Sequence, residues 1–257
     1  MINKIDQIAV DLAKAFNKNK FIEPIPEFYT KNIIQANKLR KLCENKIQQP
    51  VIGFKAGGTG IAMLKKLKEK EPFYASVFKN NFLNNNKRVK INKYTLGIEL
   101  EVCYKIQKSF FLYKKKITIN NVKRFITHMA PCIEIVGYRQ KKRGIKYLGD
   151  LCSDFGANFK FIIGPQKIYK NIKIGNLKTK IFNHKKNHFV EGNTNTVYKN
   201  PLNALIFVLK KLKKENINLN KDFYVFTGST VGVVPILGKG NYIGNIEKLG
   251  SVKVKIV

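Results

Sequence analysis

The apolar run Leu96-Gly97-Ile98-Glu99-Leu100-Glu101-Val102-Cys103-Tyr104 carries two glutamates one residue apart, and a second run, Cys132-Ile133-Glu134-Ile135-Val136, carries a third. Alternate residues of a strand point the same way. A β reading therefore puts Glu99 and Glu101 on one face, with Cα atoms roughly 6.5 to 7 Å apart. Ile98, Leu100 and Val102 fill the other face, and Ile133 and Ile135 stand opposite Glu134. An ionised carboxylate in apolar surroundings requires a Lys or Arg partner, a raised pKa, or a metal ion. Three oxygen ligands without His or Cys suit a hard divalent ion, Mg²⁺ or Mn²⁺. The competing reading leaves these strands half-buried, their glutamates on a wet face opposite lysines. For Glu99 and Glu101 taken alone that reading is at least as good, and Glu134 tips the balance moderately towards a metal.

The chain has 257 residues, enough to bury a substantial core in one domain or two, and its 44% hydrophobic content excludes wholesale disorder. A formal charge of +33, from 49 basic and 16 acidic residues, ordinarily points to nucleic acid. Here the lysines run along the whole chain with abundant Asn and Ile, a bias expected of A- and T-rich codons, so charge is background and nucleic acid is not the expected partner. The clusters Lys114-Lys115-Lys116, Lys141-Lys142-Arg143 and Lys210-Lys211-Leu212-Lys213-Lys214 read as solvated faces. Cys43, Cys103, Cys132 and Cys152 form no Cys-x-x-Cys pair, and Asp6 and Asp11 interrupt any N-terminal signal, so a reduced cytoplasmic setting is expected. No apolar stretch approaches the ~18 to 20 residues of a membrane span. His184 and His188 are expected on a basic surface loop within 178–190, and His128 at a helix end.

The N-terminal third reads as helical. Ile5, Ile8, Ala9, Leu12 and Phe16 fall at helical spacing, as do Ile33, Ala36, Leu39 and Leu42, with Pro24 and Pro26 between the two sets. A short strand is expected at 51–55, a Gly-rich turn at 56–60 and a helix from Ile61 to about Lys70. Residues 89–111 read as β, 122–129 as a short helix before the Glu134 strand, and 159–163, 172–174 and 189–190 as strand pieces. A helix opens at Pro201, where a first-turn proline is tolerated, and the tail 223–257 is β-rich. Helices first and then mostly strands indicate an α+β fold. The expected organisation is one structural unit, with an N-terminal helical segment, 1–70, packed on a catalytic β-domain, 71–257.

The ordered set Gly53-Phe54-Lys55 with its Gly-rich turn, Glu99-x-Glu101, Pro131-Cys132-Ile133-Glu134-Ile135-Val136-Gly137-Tyr138-Arg139, Asp154, Asn200-Pro201-Leu202-Asn203-Ala204, Thr227-Gly228-Ser229 and Leu249-Gly250-Ser251-Val252 resembles the 2-keto-4-pentenoate hydratase / 4-oxalocrotonate decarboxylase branch of the fumarylacetoacetate hydrolase superfamily. The resemblance covers nearly the whole chain. Each motif alone is weak; together they are specific for the family, and less so for the reaction. The resemblance implies a mixed β-roll preceded by helices. It makes Glu99, Glu101 and Glu134 the ligands of Mg²⁺ or Mn²⁺ and Lys55 the active-site lysine. Arg139 and Asp154 become further catalytic residues, and Gly57, Gly58 and Ser229 substrate-binding positions.

Read without the resemblance, Lys55 ends an apolar strand before glycines whose N–H groups can hold an anion, but an exposed strand-end lysine explains it better. Arg139 could equally pair a surface carboxylate, and Ser229 could bond its own backbone. The chain also departs from the family pattern: Gly60 lacks a common hydroxyl, Phe155 replaces a common Asn, and Phe73 stands where some hydratases carry an acid.

The implied activity is hydration of a 2-hydroxypenta-2,4-dienoate-like acid to a 4-hydroxy-2-oxo acid by a cytoplasmic homo-oligomeric hydro-lyase of aromatic catabolism. Decarboxylation of a 2-oxo-3-enedioate and hydrolysis of an acylpyruvate are the alternatives within the family. A degenerate family member that keeps the fold without catalysis and, from a different class, a basic RNA-binding protein are the remaining readings.

Overall fold

The computed structural model describes residues 4–18, 20–142, 144–170, 172–183 and 185–257. His184 and Arg143 lie outside the described residues, so the expectations for the His184–His188 pair and for the Lys141–Arg143 cluster are not addressed there. Helices α1 (Lys4–Lys18), α2 (Glu27–Thr30) and α3 (Ile33–Asn45) come first, followed by β1 (Val51–Gly57), α4 (Ile61–Lys66), β2 (Phe73–Phe78), β3 (Phe82–Asn84), β4 (Lys87–Val89) and β5 (Thr95–Ile106). Next are α5 (Ile119–Val122), β6 (Ile126–Gly137), α6 (Leu148–Cys152), β7 (Asn158–Ile163), β8 (Lys167–Ile168), β9 (Lys178–Asn183), β10 (His188–Asn193), α7 (Pro201–Lys214), β11 (Phe223–Ser229), β12 (Gly240–Ile246) and β13 (Gly250–Ile256).

Two mixed sheets result. The larger has the order β2-β1-β11-β5-β6-β7-β3 with β8 beside β6; the smaller is β10-β9-β12-β13-β4. Parallel pairings of β1 with β11, β3 with β7 and β13 with β4 interrupt an otherwise antiparallel ladder. β1 belongs to the expected N-terminal segment, yet it pairs on both sides inside the larger sheet.

Side-chain alternation divides that sheet's two faces. Ile98, Leu100, Val102, Ile133 and Ile135 are fully buried in the main core, which also contains Val252 and Val254 of the smaller sheet. The sheets approach closely at Gly244, where an added Cβ would lie 2.5 Å from Leu100 Cδ1 and would require that side chain to shift. On the opposite face, Cys103, Cys132, Phe161 and Phe226 form a smaller apolar cluster beside the glutamates. A third cluster joins α1 and α3, through Leu12, Leu39 and Cys43, to Phe78 and Phe155. The α7 helix, capped by the Asn200 side chain accepting from the Leu202 amide at 2.9 Å, lies against β11 and β1.

Several local expectations change. The helix expected at 122–129 is a single turn, because Ile126 to Met129 pair with β5 as the start of β6, and His128 is a strand residue opposite Lys105. The strand expected at 172–174 gives way to a short 3₁₀ turn, Ile174–Asn176. The basic stretch 178–190 is a hairpin rather than a loop. Thr179, Ile181 and Asn183 are buried between exposed or half-buried neighbours, a period-two pattern that the lysines disguised. The β reading of 89–111 covers β4, β5 and then a 3₁₀ segment at Lys108–Leu112. All four cysteines are buried and free. No helix among the described residues is long and apolar enough to cross a membrane.

Candidate metal centre and active site

Glu99 and Glu134 sit directly opposite each other in the β5–β6 register, and Glu101 is opposite Cys132, one diagonal step away. All three project from the same sheet face. Each offers a carboxylate oxygen within 4.8 Å of those of the other two. Glu101 and Glu134 are fully buried, and Glu99 is half-buried at the rim of a cavity of about 430 Å³. Glu101 Oε2 accepts from the Gly228 amide at 3.0 Å, while Glu101 Oε1 and Glu134 Oε2 are buried and accept no hydrogen bond.

Lys55 enters the same face from β1. Its Nζ donates to Glu134 Oε1 at 2.7 Å and to the Gly156 carbonyl at 2.9 Å. The exposed-lysine reading is therefore excluded, since the side chain is buried and lines the cavity. Burial alone would lower its pKa, but Glu134, Glu99 and Glu101 outweigh burial and hold the ammonium above the ordinary lysine range. Burial, then the charge of Glu134, pushes Glu99 up to about 7 against the pull of Lys55. Glu101 is raised well above the carboxylate range by burial and its two acidic neighbours, and Glu134 is raised by burial against the opposing pull of Lys55.

Three carboxylates facing one ammonium leave the ionised cluster two positive charges short. Two orphaned buried oxygens and an all-oxygen donor set fit a hard divalent cation held by Glu99, Glu101 and Glu134.

The cavity that Lys55 and Glu99 share, with Glu101 and Glu134 buried behind them, is also lined by Gly57, Gly58 and Ser229, together with Thr59, Gly156 and Gly228. Gly58 adopts φ +71°, and an added Cβ would lie 2.5 Å from Leu148 Cδ1. Ser229 Oγ donates to the Gly232 carbonyl at 2.7 Å and accepts from the Val231 amide at 3.3 Å, so its hydroxyl is engaged within its own turn. The rest of the lining is largely apolar, with Ala62, Met63, Leu96, Val136, Val231 and Val233.

Arg139 and Asp154 are placed differently. Neither lines the cavity; both are buried behind it. Their side chains pair at 3.6 Å, and the Arg139 amide donates to Asp154 Oδ2 at 2.7 Å. Phe155, at the family's Asn position, is buried among the N-terminal helices. Phe73 reaches the cavity wall against Gly57. Sequence reasoning missed Glu191, which lines the cavity mouth from β10, because the surrounding lysines suggested a loop. It also missed Thr59, whose hydroxyl occupies the space where a Gly228 Cβ would fall.

No family model matches the chain. A 2-keto-4-pentenoate hydratase of Paraburkholderia phymatum is 20% identical over 256 residues, covering 98% of this chain and 97% of that one. The structure of 4-oxalocrotonate decarboxylase from Pseudomonas putida G7, complexed with magnesium and adipate, aligns with TM-score 0.84 at 17% identity over 99% of this chain and 97% of that one. A fumarylpyruvate hydrolase from Pseudomonas aeruginosa, in complex with Mn²⁺ and pyruvate, aligns with TM-score 0.56 at 13% identity, covering 81% and 91% of the two chains. Along nearly its whole length the chain is thus similar in sequence to a 2-keto-4-pentenoate hydratase and in fold to a 4-oxalocrotonate decarboxylase.

Proposed function

We propose that the protein is a divalent-metal-dependent hydro-lyase that adds water to a short 2-hydroxydienoic acid, giving a 4-hydroxy-2-oxo acid. A Mg²⁺ or Mn²⁺ ion held by Glu99, Glu101 and Glu134 would supply Lewis-acid stabilisation of the negative charge that develops on the substrate's C1 carboxylate and C2 oxygen. Lys55 holds or moves the proton. Two of its three N–H bonds are committed to Glu134 and Gly156, which leaves one for the substrate. Gly57 and Gly58 line the same cavity as Lys55, where their backbone can meet a bound anion.

The apolar part of the lining carries the choice of substrate. Its apolar side chains suit a hydrocarbon tail, and Lys55 is the one cationic residue among the described residues lining the cavity. Glu191, the second acid of the lining, is exposed and paired with Lys180 at 3.6 Å, so no second cation of the described lining is there to hold a further substrate carboxylate. A monocarboxylic dienoate therefore fits better than an enedioate. Decarboxylation of a 2-oxo-3-enedioate is the second reading, favoured by the close match to the P. putida decarboxylase fold. Assaying 2-hydroxydienoates, 2-oxo-3-enedioates and acylpyruvates with Mg²⁺ and Mn²⁺, with product identification, separates the readings. Hydration of the monocarboxylate without CO₂ release is expected, and preferential CO₂ release from the dicarboxylate overturns it.

A further inference from the structure

The Lys55 ammonium has two acceptors from distant parts of the chain, the Glu134 carboxylate on β6 and the Gly156 carbonyl after α6. The Gly156 carbonyl belongs to an unusual segment. Phe155, Gly156 and Ala157 adopt φ of 52°, 73° and 54°, three successive residues in the left-handed region. For Phe and Ala this conformation costs of order 1 kcal/mol or more each, so the surroundings must impose it.

Arg139 supplies that constraint. It follows β6 by two residues, and its guanidinium meets the strained segment before, within and after its three residues. It pairs with Asp154 Oδ1 at 3.6 Å, lies 5.2 Å from the Phe155 ring centroid, and donates through Nη2 to the Asn158 carbonyl at 2.5 Å. Phe16 of α1 adds a second, adjoining ring, its centroid 4.5 Å from the guanidinium carbon and 5.0 Å from that of Phe155. The Ala157 amide donates back to the Asp154 carbonyl at 2.7 Å, closing the turn. Two adjoining aromatic rings, one carbonyl acceptor on Asn158 and the counter-charge of Asp154 thus surround one planar cation, a geometry that suits guanidinium and not a compact ammonium.

We propose that Arg139 is a positioning residue: packed against the adjoining rings of Phe16 and Phe155, it fixes the segment 155–157 against the end of β6, so that the Gly156 carbonyl and Glu134 hold Lys55 in one orientation towards the cavity. This rests on the assignment of Lys55 to proton transfer. Phe155, the departure from the family's usual Asn, becomes part of the clamp, and α1 becomes part of the active-site framework.

Two readouts on the full-length protein test the proposal. In Arg139→Ala, kcat should fall by on the order of 100-fold, as expected for a misplaced catalytic group, while metal affinity and KM change by less than about threefold. Millimolar guanidinium should restore much of the lost rate and ammonium should not, and Arg139→Lys should remain impaired. The second readout needs no turnover. The ¹⁵Nζ ammonium resonance of Lys55, identified by its loss in Lys55→Met, should be protected from exchange in the metal-free wild type, exposed in Arg139→Ala, and protected again with guanidinium. If Arg139→Ala does not fold, Phe16→Leu keeps the cation and removes one face, and should still reduce both kcat and Nζ protection. Unchanged kcat and unchanged protection in whichever variant folds would overturn the proposal. So would equal rescue by ammonium and guanidinium. A wild type inactive on the whole substrate panel defeats the catalytic assignment of Lys55, and the Nζ exchange still decides whether Arg139 positions it.

Discussion

Glu99 and Glu134 face each other across the β5–β6 pair, two acids at directly opposed positions of an antiparallel ladder. Like charges there destabilise by a few tenths of a kcal/mol to about 1 kcal/mol even in exposed sheets. Without a cation the pair therefore opposes folding. Glu99→Gln should raise the melting temperature of the chelator-treated protein by a few degrees and lower it relative to wild type in saturating Mg²⁺. Thermal melts under both conditions check the reversal of order.

The raised carboxylates set a pH dependence of the metal-free protein. Glu99 titrates near 4.5 when unfolded and about 7 in place, so between those values the folded state binds more protons than the unfolded state. Stability of the metal-free protein should therefore decline as pH rises through this window, and the higher-titrating Glu101 extends the decline beyond it. Because the ion must displace those protons, metal affinity should increase over the same range. Denaturant melts at pH 5, 6, 7 and 8, with and without Mg²⁺, should show the stabilisation by metal growing with pH; a constant increment would contradict the assignment.

Lys55→Ala should reduce turnover by at least about 100-fold while leaving the metal dissociation constant nearly intact, because the three ligands remain and only the proton-handling group is lost. It should also lower the stability of the metal-free protein, since Glu134 Oε1 would lose its buried cation. Steady-state kinetics alongside metal titration separate the two effects.

Much of this centre was legible in the sequence. The alternation in Ile98-Glu99-Leu100-Glu101-Val102 fixes which side chains share a face, and the structure has the isoleucines, Leu100 and Val102 in the main core with the glutamates opposite. The convergence of Glu134 and Lys55 was not legible from spacing, because it depends on β1 inserting beside β11 and on the β5–β6 register, both long-range pairings. The Lys55 acceptor on Gly156 had no signal at all, since a backbone carbonyl leaves none. Arg139 and Asp154 show the limit of motif reasoning: the residues are near the site, yet they touch each other behind the cavity wall instead of lining it. The hairpin of β9 and β10 was hidden by lysines on its outer positions, and with it Glu191.

Charge gives a further expectation. If the +33 reflects composition and not a binding face, affinity for structured RNA should stay within the non-specific range, of order 10⁻⁴ to 10⁻⁶ M at physiological salt, and fall steeply as salt is raised. Nanomolar, shape-selective binding in a filter or fluorescence titration would contradict this and favour a nucleic-acid role.

The central claim is that Glu99, Glu101 and Glu134 together hold one divalent cation. Its most direct test is calorimetric titration of Mn²⁺ into metal-stripped wild type, Glu101→Gln and Glu134→Gln, with folding of each verified by circular dichroism. Wild type should bind one ion per chain, and each variant should lose more than the roughly 10- to 100-fold typical of outer-shell changes. Equal affinity in all three proteins, or no binding by wild type, would contradict it.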